Sequence, residues 1–364
     1  MRRVLVPLAI SPVLPVRASV VRALAGHTMG TSWSARIAVD GAAEGETAAA
    51  ALQAALASAL DQVVAQMSHW EEGSDLCRFN RAAPGSWQRL PEAFFRVLRY
   101  ALRVAELSGG AYDPCAGALV ERWGFGARGR HDQPGFSAPS AAEIAALQAG
   151  PRWRDVQLDE TQRRALQPGG VQLDLSSVAK GFAVDQLARC LDARGCHHYL
   201  VEVGGELRGA GVKPDGEPWW VALEDVPGAQ GGEQTVAALH GLALATSGDY
   251  RNCYSLDRYT LDRYTHDHDA RDHDALDHDP LGQRTASHTI DPRSGYPIDN
   301  QVASVSVLHA HCMDADALST ALGVLGPDAG LRLAEQQGLA ARFLVRRGAG
   351  IDERCSSAYR ELLQ

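Results

Sequence analysis

Two short stretches hold the densest chemistry of the chain: HTIDPRSGYPIDN at residues 288–300 and DADALST at residues 314–320. The first opens on an imidazole, His288, and turns sharply through Asp291-Pro292-Arg293-Ser294-Gly295. The second sets a carboxylate, Asp316, four residues ahead of a hydroxyl, Thr320, in a run that reads as a helix. That spacing places both on one helix face. A hard cation such as Mg²⁺ accepts such an oxygen pair and completes its shell with water and substrate phosphate. The pairing points toward phosphoryl chemistry.

Other segments offer weaker chemistry. HTMGT (residues 27–31) leads into an alternating run, and its glycine suits either a close backbone approach to a ligand or a plain turn. Gly110-Ala111-Tyr112-Asp113-Pro114 reads first as a turn. DLSSVAKG (residues 174–181) joins a strand-like run to a helix, and helix-start N–H groups suit an anion, but the glycine pattern of a P-loop is missing. Glu202-Val203-Gly204-Gly205-Glu206 fits a hairpin turn. ATSGDY (residues 245–250) either binds phosphate or turns.

The elements that must carry these residues are legible from periodicity. Leu52, Leu56, Leu60, Val63 and Met67 make one apolar helical stripe over residues 47–67. A second helix starts at Pro91 and stops at Ser108 before Gly109-Gly110. Ser140 to Glu143 has the form of a capping box. Strand-like runs occupy residues 171–175, 199–203, 219–223, 242–246, 302–308 and 341–345. Several are joined by glycine turns too short for a crossover helix, so the pairing is expected to be antiparallel and the class α+β.

Composition narrows the partners. A net charge of −9 argues against nucleic acid, which needs clustered Lys and Arg. Seven scattered cysteines without a CxxC fit neither a disulfide framework nor a zinc site. Arg2 and Arg3 precede an apolar run that Pro7, Pro12 and Pro15 break, a poor secretory signal with no cysteine to accept a lipid. No other stretch is expected to approach the ~20 apolar residues of a transmembrane span. The expected compartment is the cytoplasm.

Residues 255–287 differ in kind: LDRYT occurs twice in tandem, then HDHDARDHDALDHDP follows. Eight Asp, four Arg and four His in this segment fit a solvated low-complexity insertion rather than a core or a defined metal site.

Taken in order, HTMGTSW, MSHWEEGSDLCRFN, GAYDPCAGALVERWGFG, DLSSVAKGFAVD, YLVEVGGELRGAG, ALATSGDYRN, HTIDPRSGYP and CMDADALSTAL resemble the ApbE family, the FAD:protein FMN transferases. The resemblance implies an ApbE-like, T-fold-related α+β fold of largely antiparallel sheets with packed helices. It sets an N-terminal extension at 1–26, the domain at 27–350 around the insertion, and a tail at 351–364. It further implies that FAD is the substrate, that Mg²⁺ is the cofactor, and that FMN passes to a Thr or Ser of a client protein as AMP leaves. Asp316, Thr320 and the backbone carbonyl of Ala179 would hold the metal. Met29, Gly30, Asp113, Lys180, Glu202, Gly204 and Thr246 would line the FAD site, with His288 as base and Lys180 as a second catalytic group.

Two departures stand out. Ser176-Ser177 replace a common Gly-Gly, and Cys115 replaces a common Thr. Alternative readings are Mg²⁺-dependent hydrolysis of FAD to FMN and AMP, and a flavin- or metal-binding protein without turnover.

Overall fold

The computed structural model describes residues 3–10, 13–16, 18–41, 45–150, 152–226, 234–249, 252–256, 285–348 and 350–363. Its backbone is an antiparallel sheet of eight strands in the order β18-β17-β16-β11-β8-β7-β3-β2. These are β2 (Ser19–Thr28), β3 (Thr31–Asp40), β7 (Tyr199–Val203), β8 (Glu206–Ala210), β11 (Leu242–Gly248), β16 (Val302–His309), β17 (Ala340–Arg347) and β18 (Gly350–Cys355). The β2–β3 hairpin turns on Met29 and Gly30, whose φ values of 50° and 71° give the left-handed pair that a tight two-residue loop needs.

One face of this sheet carries helices, the other a small sheet. Helices α1 (Glu46–Met67), α3 (Glu92–Leu107), α6 (Ser176–Asp192) and α7 (Cys312–Gln337) share the main core with Trp33, Ile37, Val201, Val305 and Phe343. On the opposite face, β1 (Arg3–Leu5), β9 (Trp219–Ala222) and β10 (Thr235–Leu239) form a three-stranded sheet. With helix α8 (Ser357–Glu361) they bury Leu5, Leu239, Leu244, Leu308 and Tyr359 in a second cluster. Helix α7 kinks at Gly326, immediately before Pro327, where the ring cannot continue the ladder.

The remaining elements build a flank. Helix α2 (Asp75–Asn80) precedes a sheet of β4 (Ser86–Arg89), β6 (Arg164–Gln167) and β5 (Leu158–Asp159). Helices α4 (Gly117–Arg122) and α5 (Ala141–Gln148) pack Leu119, Trp123 and Ile144 against Ala286 and Ile290. Those last two lie in the pairs β12 (Cys253–Ser255) with β13 (Thr285–Ser287) and β14 (Ile290–Asp291) with β15 (Tyr296–Pro297). The Ser140–Glu143 capping box forms at the start of α5.

Three sequence expectations need correction. Residues 171–175 form no strand: Asn80 donates to the Leu173 carbonyl at 3.0 Å and accepts its N–H at 2.8 Å, so a side chain replaces a neighbouring strand. Boundaries at 27 and 350 cut through the sheet, since β1 and β2 lie before the first and β18 and α8 after the second. Helix α1 is long and apolar enough, by length and composition alone, to cross a membrane. Its Leu52–Met67 stripe instead faces the core, and alanine supplies much of its apolarity. Residues 257–284 of the repeat insertion lie outside the described residues; β12 and β13 pair across its base.

Candidate active site

The site forms where helix α6 meets helix α7 over the centre of the main sheet. Gly181 of α6 sits so close to α7 that a Cβ there would lie 2.3 Å from the Cys312 carbonyl oxygen and 2.7 Å from Asp316 Cβ. Only glycine permits that approach. In this contact the Gly181 N–H donates to Asp316 Oδ2 at 2.8 Å. Asp316 is therefore a buried carboxylate, 3% exposed, fixed by the backbone of a neighbouring helix.

One turn further along α7 lie the hydroxyls. Ser247 Oγ, on β11, is 2.9 Å from Thr320 Oγ1 and 2.8 Å from Ser319 Oγ. Ser319 in turn donates to the Asp316 carbonyl at 2.9 Å. The expected pair thus acquires a third oxygen, Ser247, which the sequence reading had placed only in a phosphate-or-turn motif.

Charge concentrates beside it. Lys180 Nζ donates to Glu206 Oε1 at 2.7 Å. Burial alone would lower the Lys180 pKa, but Glu206 and Asp316 outweigh it and hold the ammonium above the usual lysine range. Burial, with Asp316 nearby, pushes Glu206 up to about 7 despite Lys180. Burial likewise raises Asp316, against the pull of Lys180 and the Gly181 N–H. Two carboxylates face one ammonium, an excess of negative charge that a bound cation would neutralise.

Two buried polar atoms here lack a hydrogen-bond partner: Glu206 Oε2 and the Tyr112 hydroxyl. Burial raises the Tyr112 pKa, and Asp316, Asp174 and Asp113 add to that rise while Ser177 opposes it. Orphaned polar groups around a cluster of oxygen donors fit a site built for something polar. Aspartate and hydroxyl oxygens suit a hard cation such as Mg²⁺, so the residues present fit one. Among the described residues there is no cluster of three or more His, Cys, Asp or Glu that could hold a metal.

His288 follows β13, with its N–H donating to the Asn252 carbonyl at 2.9 Å and its Nδ1 lying 3.2 Å from the same oxygen. A carbonyl only accepts, so Nδ1 carries the proton and Nε2 keeps its lone pair. Burial lowers the His288 pKa, Lys180 lowers it further, and the Asn252 contact and Asp249 oppose them. The ring is neutral at pH 7, in the form a base requires. Phe125 meets it edge-on, with ring centroids 6.3 Å apart.

The other expected residues divide by the parity of the sheet. Gly204 backs onto the site: a Cβ there would lie 2.9 Å from Thr31 Cγ2 and 3.5 Å from Lys180 Cδ. This brings the turn after β7 and the end of the Met29–Gly30 hairpin to Lys180. Glu202 and Thr246 instead point to the sheet's other face. Glu202 accepts from the Gly205 N–H at 2.7 Å and from Ser34 at 3.3 Å, while Thr246 meets Ser306 at 2.8 Å. The helix-side positions belong to Glu206 and Ser247. In a strand a shift of one residue exchanges faces, so Ser247 meets the helices while Thr246 beside it does not.

Asp113 holds its turn and the flank. Its Oδ1 accepts from the Cys115 N–H at 2.8 Å, and Oδ2 lies 3.8 Å from Arg152. Arg152 also donates to the Pro292 carbonyl at 2.5 Å, joining the Asp113 turn to the turn that follows His288. Ala179 sits in the first turns of α6, next to Lys180.

Comparison with known proteins places the whole chain beside a known family. An FAD:protein FMN transferase of Klebsiella pneumoniae (strain 342) is 34% identical over 98% of the chain and 92% of its own length. One from Haemophilus influenzae is also 34% identical, over 94% and 92%. The crystal structure of Pseudomonas stutzeri flavinyl transferase ApbE, apo form, superposes with a TM-score of 0.79 at 34% identity, covering 96% of this chain and 98% of that one. Flavin transferase ApbE from Vibrio cholerae gives 0.78 at 31%, covering 94% and 99%. A family model described as the ApbE family matches residues 29–343, which takes in the Met29 turn, the α6–α7 contact and His288. By sequence and by fold, the chain belongs to the ApbE family.

Proposed function

We propose that this chain transfers FMN from FAD to a Thr or Ser hydroxyl of a client protein, with Mg²⁺, releasing AMP. The observation that carries the reading is the convergence of Asp316 and Thr320 of α7, Ser247 of β11, Lys180 of α6 and a neutral His288, from four separate segments of the chain, in a protein whose relatives are named FAD:protein FMN transferase. Mg²⁺ held by Asp316 and Thr320, with the Ala179 carbonyl as a further ligand, would neutralise charge on the pyrophosphate. The Lys180 ammonium lies beside that position and adds a fixed positive charge as charge develops on the leaving phosphate. His288 Nε2 takes the proton from the acceptor hydroxyl as its oxygen bonds to the FMN phosphorus. The bond from that phosphorus to the oxygen bridging to AMP breaks, and AMP departs with the electron pair.

The test is incubation with FAD and Mg²⁺, with and without a client bearing an acceptor Thr. Covalent flavin on the client, with AMP in equal amount, supports transfer. AMP release that no client alters would replace the reading with FAD hydrolysis. Neither product would leave a binding protein.

A further inference from the structure

Helix α7 begins without a cap of its own. His311 occupies the N-cap position, and its side chain accepts no hydrogen bond from the first turn. The first N–H groups of a helix need acceptors, and a carboxylate is the strongest partner for them and for the helix dipole. Here the acceptor comes from another helix. Asp185 of α6, 1% exposed, accepts the Cys312 N–H on Oδ1 at 3.1 Å and the Met313 N–H on Oδ2 at 3.0 Å. Arg208 of β8 pairs with the same carboxylate and balances its charge.

Asp185 stands four residues after Gly181, one turn along the same face of α6. The two helices are thus joined twice: at Gly181, which contacts Asp316, and at Asp185, which grips the start of α7. The first contact is a single hydrogen bond to the side chain assigned to the metal. The second is a two-oxygen clamp on the backbone, which resists both sliding and rotation of α7. Rotation of α7 about its axis would swing Asp316 away from Gly181 and Thr320 away from Ser247.

We propose that Asp185 is a positioning residue for the cation site, a cap supplied across the helix interface that sets the register of Asp316 and Thr320. The inference rests on the reading of Asp316 and Thr320 as metal ligands.

The test is titration of the full chain with Mn²⁺ alone, followed by electron paramagnetic resonance, beside amide hydrogen exchange. Asp185→Asn retains the shape but offers one acceptor oxygen in place of two. It should raise the Mn²⁺ Kd by about tenfold or more, the range typical of lost supporting contacts, and speed exchange at the Cys312 and Met313 amides. FAD affinity in metal-free buffer should stay unchanged, an outcome that general loosening would not give. Arg208→Gln keeps both N–H bonds and should keep the Mn²⁺ Kd. If Asp185→Asn does not fold, Cys312→Pro decides. Proline removes one of the two donors at the first helical position, and the extended His311 before it (φ −122°, ψ 134°) already suits it. Parental Mn²⁺ affinity in Asp185→Asn, or an equal loss in Arg208→Gln, overturns the proposal. If Asp316→Ala binds Mn²⁺ like the parent, the metal reading itself fails and takes this inference with it.

Discussion

Lys180 and Glu206 meet at 2.7 Å, one from helix α6 and one from strand β8 beneath it, and Asp316 acts on both. The lysine is held charged by two carboxylates, while each carboxylate is pushed toward its neutral form by burial. Such a triad has one more negative group than it can neutralise, and this imbalance sets the behaviour expected of the free protein.

Glu206 titrates near 7 in the folded chain against an ordinary 4.5. Between these values the folded state binds more protons than the unfolded one, so stability falls as pH rises through the window. Asp316, also raised, adds a fall of the same sign from 3.8 upward. Lys180 is raised too, and its contribution is present below the ordinary 10.5 and lost only above it, outside this window. Melting temperature measured from pH 5 to pH 8 in metal-free buffer should decline for the parent and decline less for Glu206→Gln. Equal slopes would show that Glu206 ionises normally.

Asp316→Ala removes the only carboxylate assigned to the cation. Mg²⁺-dependent transfer should vanish while the circular dichroism spectrum is retained, because the alanine leaves Gly181 with an unpaired N–H but no unpaired charge. A folded variant that transfers FMN at the parental rate would end the metal assignment.

For His288, the measurement is single-turnover transfer beside an FAD titration on one preparation. His288→Asn should slow transfer by about 10²–10⁴, the usual worth of a general base, and leave FAD affinity unaltered. Since burial holds the imidazole below the ordinary 6.5, the parental rate should reach its plateau by pH 7 and fall on a limb below 6.5. The variant should lack that limb.

Tyr112→Phe separates two roles. Ser177 is within hydrogen-bonding reach of this buried hydroxyl, so its deletion should change ligand-free stability by no more than about 1 kcal/mol. If that hydroxyl serves bound substrate or metal, the same change should weaken FAD or Mg²⁺ binding. Loss of stability together with unchanged binding would show that Tyr112 is ordinary core.

Much of the scaffold was legible because its periods are clean. The Leu52–Met67 stripe, the 302–308 and 341–345 runs and the Asp316–Thr320 spacing all survive in the structure. What escaped was set by groups distant in sequence. Residues 171–175 have a strand's composition, yet Asn80 takes both backbone groups of Leu173 while Gln172 and Asp174 pair with the turn at 114–117. Strand β2 alternates exposed and half-buried positions, but its residues, SVVRALAGHT, show no matching apolar–polar alternation. Glu206 and Ser247 reach the helix side through strand parity and the β7–β8 pairing, which motif wording does not encode. Asp185 carried one readable signal: a carboxylate amid Phe182, Val184 and Ala188 on a buried helix face must have partners.

The rung that pairs Ser255 with Thr285 has an evolutionary corollary. That pairing fixes both ends of the repeat segment next to each other whatever length of chain lies between them. Each doubling of such a loop costs only about 0.6 kcal/mol in closure entropy. Tandem duplication of LDRYT, a product expected of slippage during DNA copying, should then be nearly neutral. Replacing residues 257–284 with a short Gly/Ser linker, which keeps Leu256 on the Leu119–Trp123 cluster, should leave the melting temperature close to parental, and a large drop would show that the segment packs on the core. If that holds, the hairpin is a tolerance joint, at which the gene drifts in length a few residues from His288 without disturbing it.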